Sequence, residues 1–426
     1  MTTDPSFVPS TGQPGKRAVP KPAKIIRSFR QLSPDVLRPD APIVTLFSGG
    51  LDSTYLLLRL RNSGFTNVHA LSVDLDEDET REQKQRIADE LGVRLHIVDG
   101  RQVFAEEFVR AAIKAQAVYL DTHPVSSTLS RPLIARCAVE LARELGAAAV
   151  LHTANRSQNT LRRLNGALTL LGYDGCYGSP YDLEPVDRDQ KIQELKEVGL
   201  DRMSERIVSG DSNLWCREFE SGILDDPEDH AVPEHLYRWS RTEAGHRPET
   251  LEVRFHEGEP VALDGVRKPL LDIVDDLNAR VGAFGIGRYS GLEHLDNGEK
   301  VLEIREMPAA WLLLRTYRHL ETASLGAETI REKMHLEQLW VRESLEGRWY
   351  GELHGALQAF IDICAQHVSG TVRWRLTTGG AETRSIVADQ PRYLRDREVW
   401  EKDSIRAENA PYLAARQDAG AFSQKR

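Results

Sequence analysis

The sequence predicts an α/β protein in which a parallel sheet with helices on both faces precedes an α+β domain and a helical C-terminal arm. The first observation is a run of β-branched and apolar residues that ends in Ser-Gly-Gly at residue 50 and leads into a helical pattern. The second is an alternation of short apolar segments with amphipathic ones as far as about residue 200. Because parallel strands need helical crossovers, this alternation indicates a sheet covered on both faces.

The stretch at residues 43–53 is the centre of this prediction. Residues 43–47 predict a buried strand, and the leucines from Leu56 onward predict a helix. Between them, Gly49 and Gly50 allow a tight turn with positive φ, so that successive N–H groups converge on an anion beside a helix N-terminus. No Gly-Lys-Ser/Thr follows these glycines, so the turn is not a Walker loop.

The remaining elements of the first half follow the same alternation. Further strands are predicted at residues 68–73, 94–98 and 148–152, and helices at 81–91 and 132–145. Pro132 is placed in the first turn of the last helix, where a missing N–H costs nothing. Ligands of such sheets bind beyond the carboxyl ends of the strands, where residues 48–53, Asp74 and residues 153–159 fall.

The second half has a different pattern. Residues 251–255 and 260–263 alternate as a hairpin with Glu257-Gly258 at its turn, residues 269–281 and 308–320 predict helices, and residues 368–376 predict a strand. Residues 398–415 are mostly helical and charged, with a break at Pro411, and form either an oligomerisation arm or a solvated surface helix. Residues 1–38, rich in Pro, Ser, Lys and Arg, predict a flexible leader or a surface-wrapping arm. The predicted domains are therefore residues 1–38, 39–200, 201–395 and 396–426.

Composition narrows the class of protein. Hydrophobic content of 40% and charged content of 28% are typical of a soluble protein, and no apolar run is long enough to span a bilayer. The N-terminus lacks the pattern of a secretory signal, and four widely separated cysteines fit the reduced cytoplasm. The net charge of −10 weighs against a nucleic-acid partner. The histidines show no metal-ligand spacing, so no resident metal site is predicted.

The turn resembles the SGGxDS signature of the PP-loop ATP pyrophosphatases, which cleave ATP to AMP and pyrophosphate. The resemblance implies that the first half is a nucleotide-binding domain that uses ATP and Mg²⁺, with Ser48, Asp52 and Ser53 as catalytic groups. The ATP-binding residues it implies are Phe47, Ser48, Gly49, Gly50, Leu51, Asp52, Ser53, Thr54, Asp74 and Thr153. For Asp74 a role toward nucleotide or metal is no better supported than none, because Asp76-Glu77 stand where relatives carry Gly-Gln.

Later blocks resemble one PP-loop family, argininosuccinate synthase, in the same order and at similar spacing. They include residues 127–135, similar to T-x-L-A-R-P-x-I-A, residues 209–215 and 220–227, similar to S-x-D-E-N-L-W and E-G-G-x-L-E-D-P, and residues 285–288, similar to G-x-G-R. The resemblance implies a homotetrameric ligase in which ATP adenylates the ureido oxygen of citrulline and the aspartate amine displaces AMP. It also makes the second half a synthetase domain that binds amino-acid-like substrates.

The substrate positions are where the resemblance weakens. By alignment, the substrate-binding residues are His123, Ser127, Thr128, Arg131, Asn155, Asn159, Thr160, Arg163, Ser209, Glu218, Glu293 and Arg305. Thr160 replaces an Asp that receives the aspartate ammonium, which removes a charge-assisted bond of about 1.5–3 kcal/mol. Glu218 and Arg305 replace a serine and a tyrosine on the citrulline side, and we expect their opposite charges to pair across the pocket. Arg131, at an expected helix start, either faces a phosphate or carboxylate or anchors an ion pair.

Three functions follow from these residues. The first is an AMP-forming carbon–nitrogen ligase, either argininosuccinate synthase itself or a paralogue of specialised metabolism with a different acceptor and amine. The second is a PP-loop enzyme that modifies tRNA or transfers sulfur, which would want a catalytic cysteine or a Cys-x-x-Cys pair and a basic face. The third is a non-catalytic relative that only binds nucleotide. The retained turn favours an enzyme, and the altered pocket favours the paralogue.

Overall fold

The computed structural model describes residues 25–76, 80–200, 208–242, 247–295 and 298–406, and the statements below concern these residues. The strands of the first half are β1 (Ile25–Ile26), β2 (Ile43–Leu46), β3 (Val68–Asp74), β4 (Arg94–Asp99), β5 (Val118–Tyr119), β6 (His123–Pro124), β7 (Ala149–Leu151) and β8 (Cys176–Gly178). The strands of the second half are β9 (Ser209–Asn213), β10 (Cys216–Glu220), β11 (Glu249–His256), β12 (Glu259–Leu263), β13 (Val266–Arg267), β14 (Arg288–His294), β15 (Lys300–Glu306), β16 (Gly370–Thr377) and β17 (Gly380–Ala388).

Helices cover and connect these strands. Those of the first half are α1 (Leu51–Asn62), α2 (Arg81–Leu91), α3 (Arg101–Val103), which continues through a π-helical segment into α4 (Arg110–Lys114), α5 (Ser127–Leu145), α6 (Thr160–Leu170) and α7 (Arg188–Glu197). Those of the second half are α8 (Leu270–Gly282), α9 (Pro308–Ser324), α10 (Ala327–Leu345), α11 (Glu352–Ala365) and α12 (Arg397–Arg406). None of the helices described is long and apolar enough to cross a membrane.

A six-stranded parallel sheet forms the first half, in the order β1-β8-β7-β2-β3-β4. From β2 the chain moves outward through β3 to β4, and it returns to build β7 on the other side of β2. Strand order therefore reverses between β2 and β7, and a crevice opens beyond their carboxyl ends. The turn after β2 and the segment after β7 lie beside each other at this crevice, which confirms the predicted α/β fold and the placement of both segments.

Each face of the sheet has its own hydrophobic core, because alternate residues of a strand point to opposite faces. Ile43 packs with the apolar sides of α1, α2 and α7, whereas Val44 packs with α5 and α6. The second core is continuous with that of the C-terminal half, where it includes Leu312 of α9 and Trp374 of β16. The two halves are thus joined through buried side chains.

The helix predicted from residue 132 begins earlier, at Ser127, and Pro132 lies inside it. Its ring removes one N–H, so the Thr128 carbonyl loses its helical donor near the N-terminus. The prediction that Pro132 opens the helix was wrong. The helix start matters for the site, because the N–H group of Ser127 now lies where it donates to the Glu218 carboxylate, at 3.4 Å.

The segment at residues 25–37 packs against the first domain. β1 pairs in parallel with β8 at the edge of the sheet, and Phe29 is 6% exposed and lies edge-on to Tyr181 with ring centroids 5.0 Å apart. Arg27 Nε donates to Asp182 at 2.5 Å. Residues 1–24 of the predicted arm, like residues 407–426 of the predicted tail, lie outside the described residues.

Two antiparallel sheets build the second half. One has the order β14-β15-β10-β9 and the other β13-β12-β11-β16-β17. The predicted hairpin is present as β11 and β12, and its turn residues Glu257 and Gly258 have φ of 49° and 81°, as a two-residue hairpin turn requires. The sheet of β9, β10, β14 and β15 lies opposite α5 and α6 and forms the wall of the site.

Candidate active site

The turn after β2 has the geometry that its glycines predict. Gly49 has φ of 80°, and Gly50 is the N-cap of α1. The Ser48 hydroxyl accepts from the Gly50 N–H at 3.3 Å and lies 3.3 Å from the Ser53 hydroxyl, which donates to the Gly50 carbonyl at 3.1 Å. Two hydroxyls and the positive end of a twelve-residue helix therefore converge at the crevice, where an anion is stabilised.

Asp52 was predicted to be a catalytic group, but its carboxylate contacts α7. Its carboxylate is 2.5 Å from the Lys191 ammonium on α7, and its backbone carbonyl accepts from the Tyr181 hydroxyl at 3.0 Å. These contacts fix the start of α1 against α7. Asp52 therefore holds the turn in place and does not line the crevice.

A cavity of about 270 Å³ runs from this turn to the wall made by the four-stranded sheet. Twelve of the predicted site residues line it: Phe47, Ser48, Ser53, Ser127, Arg131, Thr153, Asn159, Thr160, Arg163, Ser209, Glu218 and Glu293. The other predicted residues, which do not line it, are Gly49, Gly50, Leu51, Asp52, Thr54, Asp74, His123, Thr128, Asn155 and Arg305. One cavity thus connects the predicted ATP turn with most of the predicted substrate residues.

Some of the residues outside the lining have local structural contacts. The Asp74 carboxylate accepts from the Asp76 N–H at 3.1 Å, and the Asn155 carboxamide accepts from the Ser157 N–H at 2.9 Å. Each side chain therefore stabilises the turn in which it lies. The Thr54 and Thr128 side chains are buried within α1 and α5, at 0% and 2% exposure. Neither side chain lines the cavity, and the buried Thr54 hydroxyl has no hydrogen-bond partner among the described residues.

α6 presents two polar side chains to the cavity. The Arg163 guanidinium, 3% exposed, donates to the Ser127 hydroxyl at 3.0 Å and to Glu293 Oε1 at 3.2 Å. Asn159 Nδ2 donates to the His294 carbonyl at 2.9 Å. Two buried atoms of these residues, Asn159 Oδ1 and Arg163 Nε, have no hydrogen-bond partner in the part of the chain that the structure describes. One is an acceptor and the other a donor, and both lie in side chains that bound the cavity.

Glu218 and Arg305 form an ion pair, but on one wall of the cavity. They are directly opposite each other on β10 and β15, and Arg305 Nη1 is 2.6 Å from Glu218 Oε1. The same guanidinium donates Nε to Glu303 at 2.9 Å and Nη1 to the Pro124 carbonyl at 3.2 Å. The expectation that the pair spans the pocket was wrong, because neighbouring strands place both side chains on the same face.

Burial and neighbouring charges set the ionisation of this wall. Burial raises the pKa of Glu218 and raises the pKa of Glu303 well above its ordinary value, although Arg305 opposes both shifts. Burial would also raise the pKa of Glu293, but a hydrogen bond with Glu303 and the charge of Arg163 lower it to about 2. Glu293 is therefore the carboxylate that stays ionised, and it is fixed by Arg163.

Arg131 forms an ion pair with Asp211 of β9, and its Nε also lies 3.5 Å from the Thr160 hydroxyl. Because α5 begins at Ser127, Arg131 lies in its second turn and not at its start. Of the two roles predicted for it, the structure has the ion pair with a carboxylate. The pair closes the side of the cavity between α5, α6 and β9.

Among the lining residues that the sequence reasoning missed are three acidic side chains: Asp211, Glu220 and Glu303. Each is two residues from a predicted residue of the same strand, from Ser209, Glu218 and Arg305 respectively. Side chains at i and i+2 of a strand share a face, so the period of two could have found them.

His123 lies behind the wall. Its ring packs against Tyr289 with centroids 4.8 Å apart and against Tyr119 at 5.6 Å. Burial and the nearby Arg305 charge lower its pKa to about 3, so the imidazole is neutral. It packs against Tyr119 and Tyr289 and does not line the cavity.

The described residues include no group of three or more His, Cys, Asp or Glu side chains placed to hold a metal ion. The side-chain oxygens that the turn presents to the cavity are the hydroxyls of Ser48 and Ser53, and the Asp52 carboxylate is paired with Lys191. Such a set fits a cation that arrives already bound to phosphates better than a resident ion with its own protein ligands.

A parallel α/β sheet with an anion-binding turn at its switch point, facing a second domain across a cavity, defines a nucleotide-binding enzyme built from two parts. Residues 42–174 match the argininosuccinate synthase N-terminal HUP domain, and residues 208–410 match the argininosuccinate synthase C-terminal domain. The chain belongs to the argininosuccinate synthase family, and it is an ATP-dependent carbon–nitrogen ligase.

Individual relatives agree with this assignment. The chain is 32% identical over 372 residues to the argininosuccinate synthase of Rubrobacter xylanophilus, covering 86% of this chain and 91% of that protein. It is 35% identical over 370 residues to that of Methanopyrus kandleri, covering 84% and 91%. The solved NH3-dependent NAD synthetase from Campylobacter jejuni, at 16% identity, covers 40% of this chain and 70% of its own with a TM-score of 0.28, too low to add to the argument.

Proposed function

We propose that the enzyme adenylates the ureido or carbonyl oxygen of a citrulline-like acceptor and condenses it with an aspartate-like amine, releasing AMP and pyrophosphate. The observation that supports this most is the single cavity that joins the Ser48–Ser53 turn to Arg163 and the charged sheet wall. Both partners of an adenylation reaction would then be held in contact, and such positioning supplies a large part of the rate.

Adenylation converts the acceptor oxygen into a good leaving group, and it requires groups that stabilise the negative charge of the departing pyrophosphate. A neutral carbonyl oxygen is a poor leaving group, and its attack on the α-phosphorus turns it into part of AMP. Pyrophosphate departs in that step, and the hydroxyls of Ser48 and Ser53 with the N-terminus of α1 would stabilise its charge. Apolar lining side chains nearby, among them Leu71, Val73 and Ile134, would hold the base away from water.

The acceptor end is supported by α6. The unpartnered donor Arg163 Nε and acceptor Asn159 Oδ1 match a group that has both a carbonyl oxygen and an N–H, as a ureido group does. A hydrogen bond from the ligand to each atom would remove the cost of burying it without a partner, about 1–3 kcal/mol each. Mg²⁺ would enter with ATP and supply charge neutralisation at the phosphates.

A second candidate has the same chemistry with a different acceptor and amine, as in a paralogue of specialised metabolism. It is favoured by the wall, where Arg305 and Glu218 neutralise each other, and by Thr160, whose hydroxyl faces Arg131. We further propose a cytoplasmic homotetramer without a nucleic-acid partner. The exposed apolar Leu353 and Ile363 of α11, 46% and 57% exposed, support a subunit contact there.

Pyrophosphate release from Mg-ATP tests the proposal. The purified protein is assayed with citrulline plus aspartate, with a panel of other ureido compounds and amines, and with ATP alone. Release only with citrulline plus aspartate supports the first form, and release with another pair supports the second. The absence of pyrophosphate release with every pair would refute a ligase that uses these compounds and leave nucleotide binding or tRNA modification in its place.

The turn is tested by Ser53→Ala. Losing one donor to the departing charge is expected to lower kcat by about 100-fold. Ser385→Ala on β17, which belongs to the other sheet, is the matched control and should leave kcat unchanged. An equal loss in both variants would contradict a role of Ser53 in phosphate stabilisation.

A further inference from the structure

The wall of the cavity carries more negative than positive side chains. β9, β10, β14 and β15 contribute five carboxylates to the lining: Asp211, Glu218, Glu220, Glu293 and Glu303. The arginines that face them number three among the described residues: Arg131, Arg163 and Arg305. Burial raises the pKa of Glu218 and Glu303, which share Arg305, so the charge that remains to be balanced is that of Glu220 once the pH exceeds its pKa of about 7.

One of the five lining carboxylates is left without an arginine partner among the described residues. Arg131 binds Asp211, Arg163 binds Glu293, and Arg305 is shared by Glu218 and Glu303. Glu220, partly exposed to the cavity at the end of β10, has no ion pair or side-chain hydrogen bond within the described part of the chain. A lining carboxylate without a donor is the counterpart that a cationic ligand needs.

A second observation points to a hydrogen-bond donor on the ligand. Asn159 lines the same cavity from the opposite side, its side chain is only 7% exposed, and its Oδ1 has no partner. An acceptor of this kind is left for an N–H group, and it does not suit a carboxylate oxygen. The acceptor lies on α6 and the carboxylates on the sheet, so the two features are independent.

We infer that the co-substrate held against the sheet wall carries an ammonium or guanidinium group and lacks a carboxylate at that end. This inference rests on the proposed ligase function and specifies its substrate class. Above pH 7 a carboxylate there would meet the like charge of Glu220, whereas a cation gains a charge-assisted bond to it. Asn159 Oδ1, on the opposite side of the cavity, then accepts from the ureido N–H at the other end of the co-substrate.

Equilibrium binding tests the inference without turnover. Calorimetry compares citrulline with N-carbamoylputrescine, which has the same ureido group and amine but no carboxylate, in the presence of a non-hydrolysable ATP analogue and Mg²⁺. The cationic compound is expected to bind at least about tenfold more tightly, as one charge-assisted bond predicts. Equal or tighter binding of citrulline would overturn the inference.

Two variants locate the effect. Glu220→Gln should remove most of the tenfold preference and leave citrulline binding nearly unchanged. The variant should fold, because the Glu220 carboxylate has no ion pair or side-chain hydrogen bond among the described residues. Glu82→Gln, an exposed residue of the first turn of α2, changes the net charge equally and should leave the preference unchanged. A loss of equal size in Glu82→Gln would show that overall charge, and not the wall, selects the cation.

The two proposals fail differently. Tight binding of N-carbamoylputrescine without pyrophosphate release from Mg-ATP would refute the proposed reaction and keep the cationic pocket. Pyrophosphate release with citrulline plus aspartate, together with weak binding of the cationic compound, would refute the cationic pocket and keep the reaction.

Discussion

Replacing Arg305 with methionine tests the charged wall most directly. The guanidinium is 3% exposed and holds Glu218 at 2.6 Å, Glu303 through Nε at 2.9 Å and the Pro124 carbonyl at 3.2 Å. Methionine fills much of the volume but leaves two buried carboxylates without a cation. Breaking a buried pair in this way costs about 3–5 kcal/mol, and we expect about 4 kcal/mol for Arg305→Met at pH 8.

The loss should depend on pH in a fixed direction. Without Arg305, burial raises the pKa of both carboxyls further, so the folded state holds protons that the unfolded state releases. Stability then falls by about 1.4 kcal/mol per pH unit for each such group between its ordinary and its raised pKa. At pH 5 the cost should shrink to roughly half of its value at pH 8.

Urea unfolding followed by tryptophan fluorescence at pH 5 and pH 8 measures both effects. The compensated variant Arg305→Met with Glu218→Gln and Glu303→Gln removes the orphaned charges and should recover at least about 2 kcal/mol, because an ion pair and a neutral replacement are often close in energy. A loss below about 1 kcal/mol for the single variant, or a compensated variant that is no more stable, would refute the reasoning.

Three further predictions concern other parts of the molecule. Lys333→Met removes a cation from Glu321 and Glu337 in the core between α9 and α10 and leaves Arg318 to pair with both carboxylates. Because one buried negative charge is then uncompensated, the unfolding free energy should fall by about 3–5 kcal/mol in urea melts, and a loss under about 1 kcal/mol would contradict this prediction. Gly287 has a φ of 91°, and Gly287→Ala would place a methyl group 2.5 Å from Pro308. This variant should lower Tm by more than 5 °C by calorimetry, whereas an unchanged Tm would show that the backbone adjusts to the methyl group. Burial, with nearby carboxylates, raises the pKa of Glu220 from 4.5 to about 7, so folding stability falls by up to ~3 kcal/mol as pH rises through this window. Glu220→Gln should flatten that fall in urea melts, and an unchanged slope between pH 4.5 and 7 would disprove the assignment.

The local patterns of the sequence were enough for the nucleotide half. β2, β3 and β4 lie within one residue of the predicted strands, and α2 has the predicted bounds, because hydrophobic periodicity and a Thr80 capping box are properties of neighbouring residues. The turn after β2 followed from its glycines for the same reason. Prediction succeeded where the cause of the structure lies within a few residues.

The failures share the opposite property. β1 is only two residues long within a polar segment, and it is a strand because β8 offers a free edge. Pro132 resembles a helix start, yet packing extends α5 to Ser127. The pairing of Glu218 with Arg305 was expected from charge, but its placement on one wall depends on strand register, which a single sequence does not contain.

The packing of residues 25–37 has a practical consequence for handling the protein. A chain shortened to residue 39, the predicted domain boundary, would uncover the hydrogen-bonding edge of Cys176–Gly178 and the apolar surface beneath Phe29. An uncovered strand edge pairs with strands of other molecules, so such a truncated chain should self-associate even though the turn after β2 is complete. The expressed chain should therefore begin before Ile25. Aggregation of the shortened chain would show that residues 25–37 cover the edge of β8.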